Sequence, residues 1–260
     1  MCKSFVKSYI IGLLLLVFIL VACQTVPITG RKRLILIPES TEFELGATTY
    51  NDILQKSRLS TDAVAVNRIK SIGKSIAQVT GRPDYAWEFN LIDDDKVVNA
   101  FCLPGGKVAV YTGIMRIAST DAELATVMGH EIAHAVARHG AERMTQLLLV
   151  ELGGMALEEA LKKKTRKTIE LAKVAYGAGT QLLFVLPYSR THENEADHLG
   201  LIFMAKAGYD PHAAIDFWKK MQEEFAGQEP PEFLSTHPSS RRRISNLKRW
   251  LPEALKYYHK

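Results

Sequence analysis

A cluster of histidines constrains this chain more than any other feature of its sequence. The stretch ATVMGHEIAHAVARHG, residues 125–140, contains His130, His134 and His139, although the whole chain of 260 residues has only eight histidines. On a helix, residues four apart lie on the same face, so His130 and His134 would project side by side. Two adjacent imidazoles can bind one metal ion, and Glu131 would lie beside it. The alternative is a polar helix that contains this spacing by chance.

A carboxylate further along the chain could complete a metal site. In YSRTHENEADHLG, residues 188–200, Glu193, Asp197 and Gly200 follow the i, i+4, i+7 spacing of one helix face. Glu193 can then reach the metal, whereas Glu195 points nearly the opposite way. Asp197 can accept the second ring N–H of a ligating histidine, and Gly200 allows two helices to pack closely. With His-Glu-x-x-His, this set is typical of zinc hydrolases.

Strand signals occur early in the chain and helix signals dominate afterwards. Trp87, Phe89 and Leu91 alternate with polar neighbours, and the segments VVNAFCL and KVAVYTG predict two more strands. Residues 104–106, Pro-Gly-Gly, form the predicted turn between those two segments. We therefore predict an α+β, mainly helical domain with a small β-sheet.

Four motifs together resemble the zinc peptidase family that contains the HtpX heat-shock protease and the CAAX prenyl protease. They are HEIAH at 130–134, NAFCLPGG at 99–106, SRTHENEAD at 189–197 and THPSSRRRI at 236–244. The match is closest to the soluble, periplasmic lipoprotein branch, and the several spanning helices of the membrane-embedded members have no counterpart in the sequence. The resemblance implies a zincin-like metallopeptidase domain with an HExxH active-site helix and one zinc per chain.

The resemblance also implies roles for particular residues. His130, His134 and Glu193 would bind the zinc, and Asp197 would support a histidine ligand from the second shell of the site. Glu131 would act as the general base that takes a proton from water.

Three further elements have less support from the sequence. His237, with Arg243 six residues later, would lie near the metal and either stabilise the transition state or cap the zinc; alternatively, His237 only anchors a turn. His139 would lie on the surface or serve packing. In related peptidases an edge strand binds substrate by β-augmentation, and KVAVYTG is the candidate here unless it is an ordinary core strand. Its predicted substrate-binding residues are Lys107, Val108, Ala109 and Val110.

The N-terminus predicts export. Residues 1–22 combine Lys3 and Lys7 with an uncharged apolar run, as a secretory signal peptide does, and LVAC at 20–23 is similar to the lipobox of bacterial lipoproteins. Cys23 would then be lipidated; the alternatives are an uncleaved membrane anchor or a chance cysteine. Gln24 follows where inner-membrane retention would place Asp, which favours the periplasmic face of the bacterial outer membrane.

These observations predict three segments and one function. The segments are a signal peptide at 1–22, the lipidated cysteine with a tether at 23–37, and a zinc metallopeptidase domain at 38–260. The domain would be an endopeptidase that hydrolyses unfolded or misfolded cell-envelope proteins in quality control, and its membrane contact would be the lipid anchor. The alternative is a periplasmic chaperone or assembly factor on a peptidase scaffold. Nucleic acid is excluded as a partner despite the net charge of +5, because an exported protein does not meet DNA.

Overall fold

The computed structural model describes residues 23–162, 164–180, 186–228, 230–237 and 241–259. The chain divides into two compact units. The smaller unit comprises Met1–Glu39 and Gly140–Val185, and the larger unit comprises Ser40–His139 and Leu186–Lys260. The predicted segment 1–22 lies outside the described residues, and the boundaries at 22 and 37 remain predictions.

Helices dominate the described residues, as the sequence predicts. The strands are β1 (Cys23–Thr25), β2 (Lys32–Leu34), β3 (Glu88–Ile92), β4 (Ala100–Leu103) and β5 (Lys107–Tyr111). The helices are α1 (Glu39–Lys56), α2 (Ala63–Gln78), α3 (Thr112–Met115), α4 (Asp121–Val136), α5 (His139–Leu161), α6 (Arg166–Thr180), α7 (Leu186–Lys206), α8 (His212–Glu224), α9 (Glu232–Thr236) and α10 (Arg241–Ala254). The predicted α+β, mainly helical class is therefore confirmed.

The sheet of the larger unit corrects one prediction. Its strands have the order β3-β5-β4, so β5 lies in the centre, parallel to β3 and antiparallel to β4. The prediction that Lys107, Val108, Ala109 and Val110 form a substrate-binding edge is wrong, because both backbone edges of β5 are occupied by neighbouring strands. The four residues are also buried. The two outer strands of this sheet are β3 and β4.

The turn between β4 and β5 has the chemistry that its sequence predicts. Gly105 and Gly106 have φ of 81° and 83°, a region that side chains with a Cβ disfavour. A Cβ on Gly106 would also lie 2.7 Å from the Trp87 ring. The turn returns the chain tightly, so that β4 pairs antiparallel with β5.

Helix α4 packs closely against α7, and these two helices carry His130, His134 and Glu193. A Cβ on Gly200 would lie 2.9 Å from the backbone of Gly129 and His130, so the two helices meet backbone to backbone at this point. β4 packs against another part of α4, and α8 packs against it as well. Helix α4 is consequently buried over most of its length.

The smaller unit has its own contacts. β1 and β2 pair antiparallel within the segment predicted as a tether. Arg31 forms a bidentate ion pair with Glu142 at 2.7 Å, and the Tyr176 hydroxyl donates a hydrogen bond to the Val150 carbonyl at 2.8 Å. Within the described ranges, no helix is both long and apolar enough to cross a bilayer.

Candidate metal centre

Helix α4 carries the histidine pair and begins with a defined cap. The Thr120 side chain accepts a hydrogen bond from the Glu123 N–H at 3.2 Å, and the Glu123 carboxylate accepts one from the Thr120 N–H at 3.1 Å. The helix ends at Val136, and Arg138 follows with φ of 52°, a left-handed conformation that interrupts the helix. The capping box and this turn therefore fix both ends of the segment that holds His130 and His134.

Four side chains present potential metal-binding atoms to one another. These atoms, from His130, His134, Glu193 and His237, all lie within 4.8 Å of each other. The Nε2 atoms of His130 and His134 are 3.1 Å apart, and Glu193 Oε1 lies 3.3 Å from His134 Nε2. His237 Nδ1 lies 3.2 Å from His130 Nε2 and 3.0 Å from Glu193 Oε1. Tetrahedral zinc, with bonds of about 2.0–2.1 Å, separates its ligand atoms by about 3.3 Å, so the donor types and their spacing fit zinc.

Glu131 lies beside this donor set and does not belong to it. Its side chain is buried, and Oε1 has no hydrogen-bond partner among the described residues. His237 Nε2 lies 3.5 Å from that oxygen. Burial raises the pKa of Glu131 above its ordinary value, although the neighbouring histidines oppose this shift. A buried carboxylate oxygen without a partner is costly, and its position suits a group that exchanges a proton with a reactant.

Asp197 and Arg243 contact two members of the donor set, His130 and Glu193. Asp197 Oδ1 lies 3.0 Å from His130 Nδ1, on the side of the ring away from the donor cluster. Arg243 Nη2 donates a hydrogen bond to Asp197 Oδ1 at 2.7 Å, and its Nη1 lies 3.3 Å from Glu193 Oε2. The Arg243 guanidinium also lies 3.6 Å from the ring centroid of Trp218. Arg243 is therefore fixed between a carboxylate and an aromatic ring.

The carboxylates shape the charge of the cluster. Burial lowers the pKa of His134 well below its usual value. Burial and the Arg243 charge also lower the pKa of His130, but hydrogen bonds with two carboxylates outweigh them and raise it to about 9. Burial raises the pKa of Glu193, yet the surrounding histidines outweigh this effect and hold it well below its usual range. Negative charge beside the imidazoles therefore favours a bound cation.

The structure brings most of the predicted site residues into one place. They are His130, Glu131, His134, Glu193, Asp197, His237 and Arg243. It does not bring the predicted substrate-binding residues to an edge: Lys107 donates a hydrogen bond to the Ala86 carbonyl at 2.7 Å and pairs with Glu88. Cys23 begins β1, and its lipidation remains a prediction.

Sequence reasoning missed one part of the site. His139 is 4% exposed, and its Nδ1 lies 2.8 Å from His134 Nδ1. Its Nε2 lies 3.2 Å from Glu195 Oε2. Residues five apart do not share a helix face, so the spacing of His134 and His139 gave no signal. Only the turn at Arg138 brings the two rings together.

Comparisons with known proteins agree with this geometry. A model of peptidase family M48 matches residues 64–251. The chain is 32% identical over 250 residues to the mitochondrial metalloendopeptidase OMA1 of Saccharomyces cerevisiae. This alignment covers 89% of the chain and 70% of the yeast protein. It is 32% identical over 268 residues to human metalloendopeptidase OMA1, covering 98% of the chain and 51% of that protein. The chain is 26% identical over 234 residues to the beta-barrel assembly-enhancing protease of Escherichia coli, and this alignment covers 87% of the chain and 47% of the bacterial protein. The chain thus spans about half the length of the human and bacterial relatives.

The same comparisons overturn the predicted location. Relatives that cover much of the chain, from fungi, a plant and animals, are named as mitochondrial metalloendopeptidases. The prediction of the periplasmic face of a bacterial outer membrane is therefore wrong. It rested on four residues at the end of an apolar run and on Gln24, a short signal that carries little information beside a match over most of the chain.

Proposed function

The chain belongs to peptidase family M48 and is a zinc metalloendopeptidase, and from this premise we propose that it hydrolyses unfolded or misfolded polypeptides. The observation that carries the proposal is the convergence of His130, His134 and Glu193 next to the buried carboxylate of Glu131, whose Oε1 has no hydrogen-bond partner among the described residues. The prediction of cell-envelope substrates is not carried forward, because it depended on the location that proved wrong.

We propose that His130, His134 and Glu193 hold one zinc ion. When bound there, zinc would polarise the scissile carbonyl and lower the pKa of a water molecule towards about 7. Asp197 would hold the His130 ring through Nδ1, which leaves Nε2 free to face the donor cluster. Arg243 would in turn hold Asp197 through a hydrogen bond. Its positive charge, with Nη1 3.3 Å from Glu193 Oε2, would offset the negative charge of Glu193.

Glu131 would perform the proton transfers of peptide hydrolysis. It would take a proton from the attacking water and deliver that proton to the nitrogen of the departing amine, as the scissile C–N bond breaks. Its raised pKa brings this carboxyl closer to the range in which both transfers are favourable, and burial is the cause.

We assign to His237 the role of a cap on the site in its resting form. Its Nδ1 lies within the donor cluster, 3.0 Å from Glu193 Oε1, where it competes for the position that a substrate carbonyl would need. The Arg243 Nη1 atom donates a hydrogen bond to the His237 carbonyl at 3.2 Å, which holds this residue in place. The alternative, stabilisation of the anionic intermediate, would require His237 to swing away from Glu193.

We place the substrate backbone on β4. This strand lies at the edge of the sheet and packs against α4. In the part of the chain that the structure describes, β4 pairs with a strand only on its β5 side. Burial and the charge of the Glu131 carboxylate raise the pKa of the Cys102 thiol on this strand. Backbone pairing with Ala100–Leu103 would recognise an extended chain with little regard to its side chains, as unfolded substrates require.

The test compares wild type with Glu131→Gln, which keeps the size of the side chain but cannot take a proton. We expect unchanged zinc content and thermal stability and a loss of about 10²- to 10⁴-fold in cleavage of an unfolded protein. Glu193→Ala serves as the matched control that should lose zinc as well as activity.

Equal cleavage by wild type and Glu131→Gln at matched zinc content would refute the mechanism. If neither protein cleaves and both suppress aggregation equally, the chain acts as a chaperone or assembly factor on a peptidase scaffold. Normal zinc content in Glu193→Ala would refute the ligand assignment.

A further inference from the structure

A second histidine stands behind His134 and connects it to a buried carboxylate. The Nδ1 atoms of His134 and His139 are 2.8 Å apart, and His139 Nε2 lies 3.2 Å from Glu195 Oε2. His139 and Glu195 are 4% and 5% exposed. The three side chains therefore form a line of hydrogen-bonding groups that leads from the donor cluster into the protein interior.

The donors and acceptors along this line permit one consistent arrangement. His134 turns Nε2 towards the donor cluster, so that nitrogen must keep its lone pair to bind a metal ion. The ring proton then sits on Nδ1 and is donated to His139 Nδ1, which must accept it. His139 carries its own proton on Nε2 and donates it to the carboxylate of Glu195. Each of the two contacts then pairs a donor with an acceptor.

The fold holds His139 in this position from two sides. Arg138 adopts φ of 52°, which interrupts the helix after α4, and its Nε donates a hydrogen bond to the buried carboxylate of Glu42 at 3.0 Å. The His139 ring also stacks on the His192 ring, with centroids 4.3 Å apart and planes 16° apart.

We propose that His139 and Glu195 are positioning residues that fix the ring orientation and the tautomer of His134. This inference rests on the proposed function, because it takes His134 as a metal ligand. The two histidines of α4 are then supported differently: Asp197 contacts His130 directly, whereas Glu195 supports His134 through a second imidazole. Removing such support typically weakens metal affinity by about 10- to 100-fold.

The test measures zinc affinity of the purified protein by competition with a chromophoric chelator. His139→Phe keeps a ring for stacking on His192 but cannot accept the His134 proton, and we expect zinc binding to weaken by about 10- to 100-fold. His139→Asn restores an acceptor and should recover most of this loss. His198→Phe is the matched control, because His198 lies on α7 and pairs with Glu253 at 2.8 Å, and it should bind zinc as wild type does.

Nitrogen NMR of the zinc-loaded wild type supplies a second readout, which should show His134 protonated on Nδ1. Thermal unfolding of the zinc-free variants checks that they are folded. If His139→Phe does not fold, Glu195→Gln decides the question and should weaken zinc binding, though less, because its amide oxygen can still accept.

The outcomes separate this inference from the function on which it rests. If wild type binds no zinc, the proposed function fails. If wild type binds zinc and the folded His139→Phe binds it equally tightly, or if His139→Asn recovers nothing, only the positioning role fails. A zinc-loaded His134 that is not protonated on Nδ1 would also overturn the proposal.

Discussion

Glu193 and Glu195 lie two residues apart on α7, and this small separation gives them different partners. Glu193 faces the histidine nitrogens, and its side chain keeps 17% exposure, as a group at an open site does. Glu195 is buried and faces His139. A helix turns about 200° over two residues, so one carboxylate can reach the metal directly and the other can act only through a neighbour. Neighbouring acids of the same type therefore have distinct chemistry.

The effect of His237→Ala on the cleavage rate distinguishes the two roles proposed for this histidine. If it caps the resting site, His237→Ala should raise cleavage of an unfolded protein, because the position near Glu193 becomes free for substrate. If His237 instead stabilises the intermediate, cleavage should fall by about 10²-fold or more. The measurement is the initial cleavage rate at matched zinc content, with His212→Ala as a control on an exposed histidine. A fall in rate would contradict the cap.

Helices α4 and α7 supply the metal ligands as a pair, so their separation sets the ligand geometry. Gly200 and Gly129 allow backbone contact between them, which larger residues would prevent. His130 follows directly after Gly129, and the ligand of α7 lies two turns before Gly200. The contact between the helices therefore fixes the distance across which Glu193 meets the histidines.

The substitution Gly200→Ala tests whether the close contact between α4 and α7 stabilises the larger unit. The added Cβ would lie 2.9 Å from backbone atoms of α4, and we expect unfolding free energy to fall by about 1–3 kcal/mol. All three tryptophans lie in the larger unit, so urea unfolding followed by tryptophan fluorescence reports on it. Val64→Ala is the control, because Val64 lies in the same unit and its side chain is 80% exposed, so the midpoint should hardly change. An unchanged midpoint for Gly200→Ala would contradict the tight contact.

At the scale of the whole molecule, the division of the chain into a signal peptide, a tether and an enzyme remains a prediction. The described helices offer no span, and the longest apolar run lies in residues 1–22, directly before β1. We propose that this segment is removed and that Cys23 carries lipid, which leaves β1 and β2 next to the anchor. Three segments, 1–22, 23–37 and 38–260, would then act as signal, tether and enzyme.

Cys23→Ala tests this proposal. The variant should lose labelling by a fatty-acid analogue and retain residues 1–22, while the purified domain should cleave an unfolded protein as before. Mass spectrometry of the N-terminus checks both points, and Cys102→Ala is the control that should leave labelling unchanged. Undiminished labelling of Cys23→Ala would show that LVAC is not a lipidation signal.

The sequence by itself determined what depends on neighbouring residues along the chain. Helical periodicity places His130 and His134 on one face and separates Glu193 from Glu195, and the Pro-Gly-Gly run at 104–106 determines its turn. These features arise from backbone geometry that is the same in any protein, so the motif could be interpreted without coordinates.

Only the tertiary structure decided which elements meet. The central position of β5 depends on its pairing with both β3 and β4, and alternation alone does not distinguish a central strand from an edge. His139 reaches His134 because Arg138 adopts a left-handed conformation, and Arg243 reaches Asp197 because α10 packs on α7. These contacts arise from long-range packing and one strained turn, and neither leaves a periodic signal in the sequence.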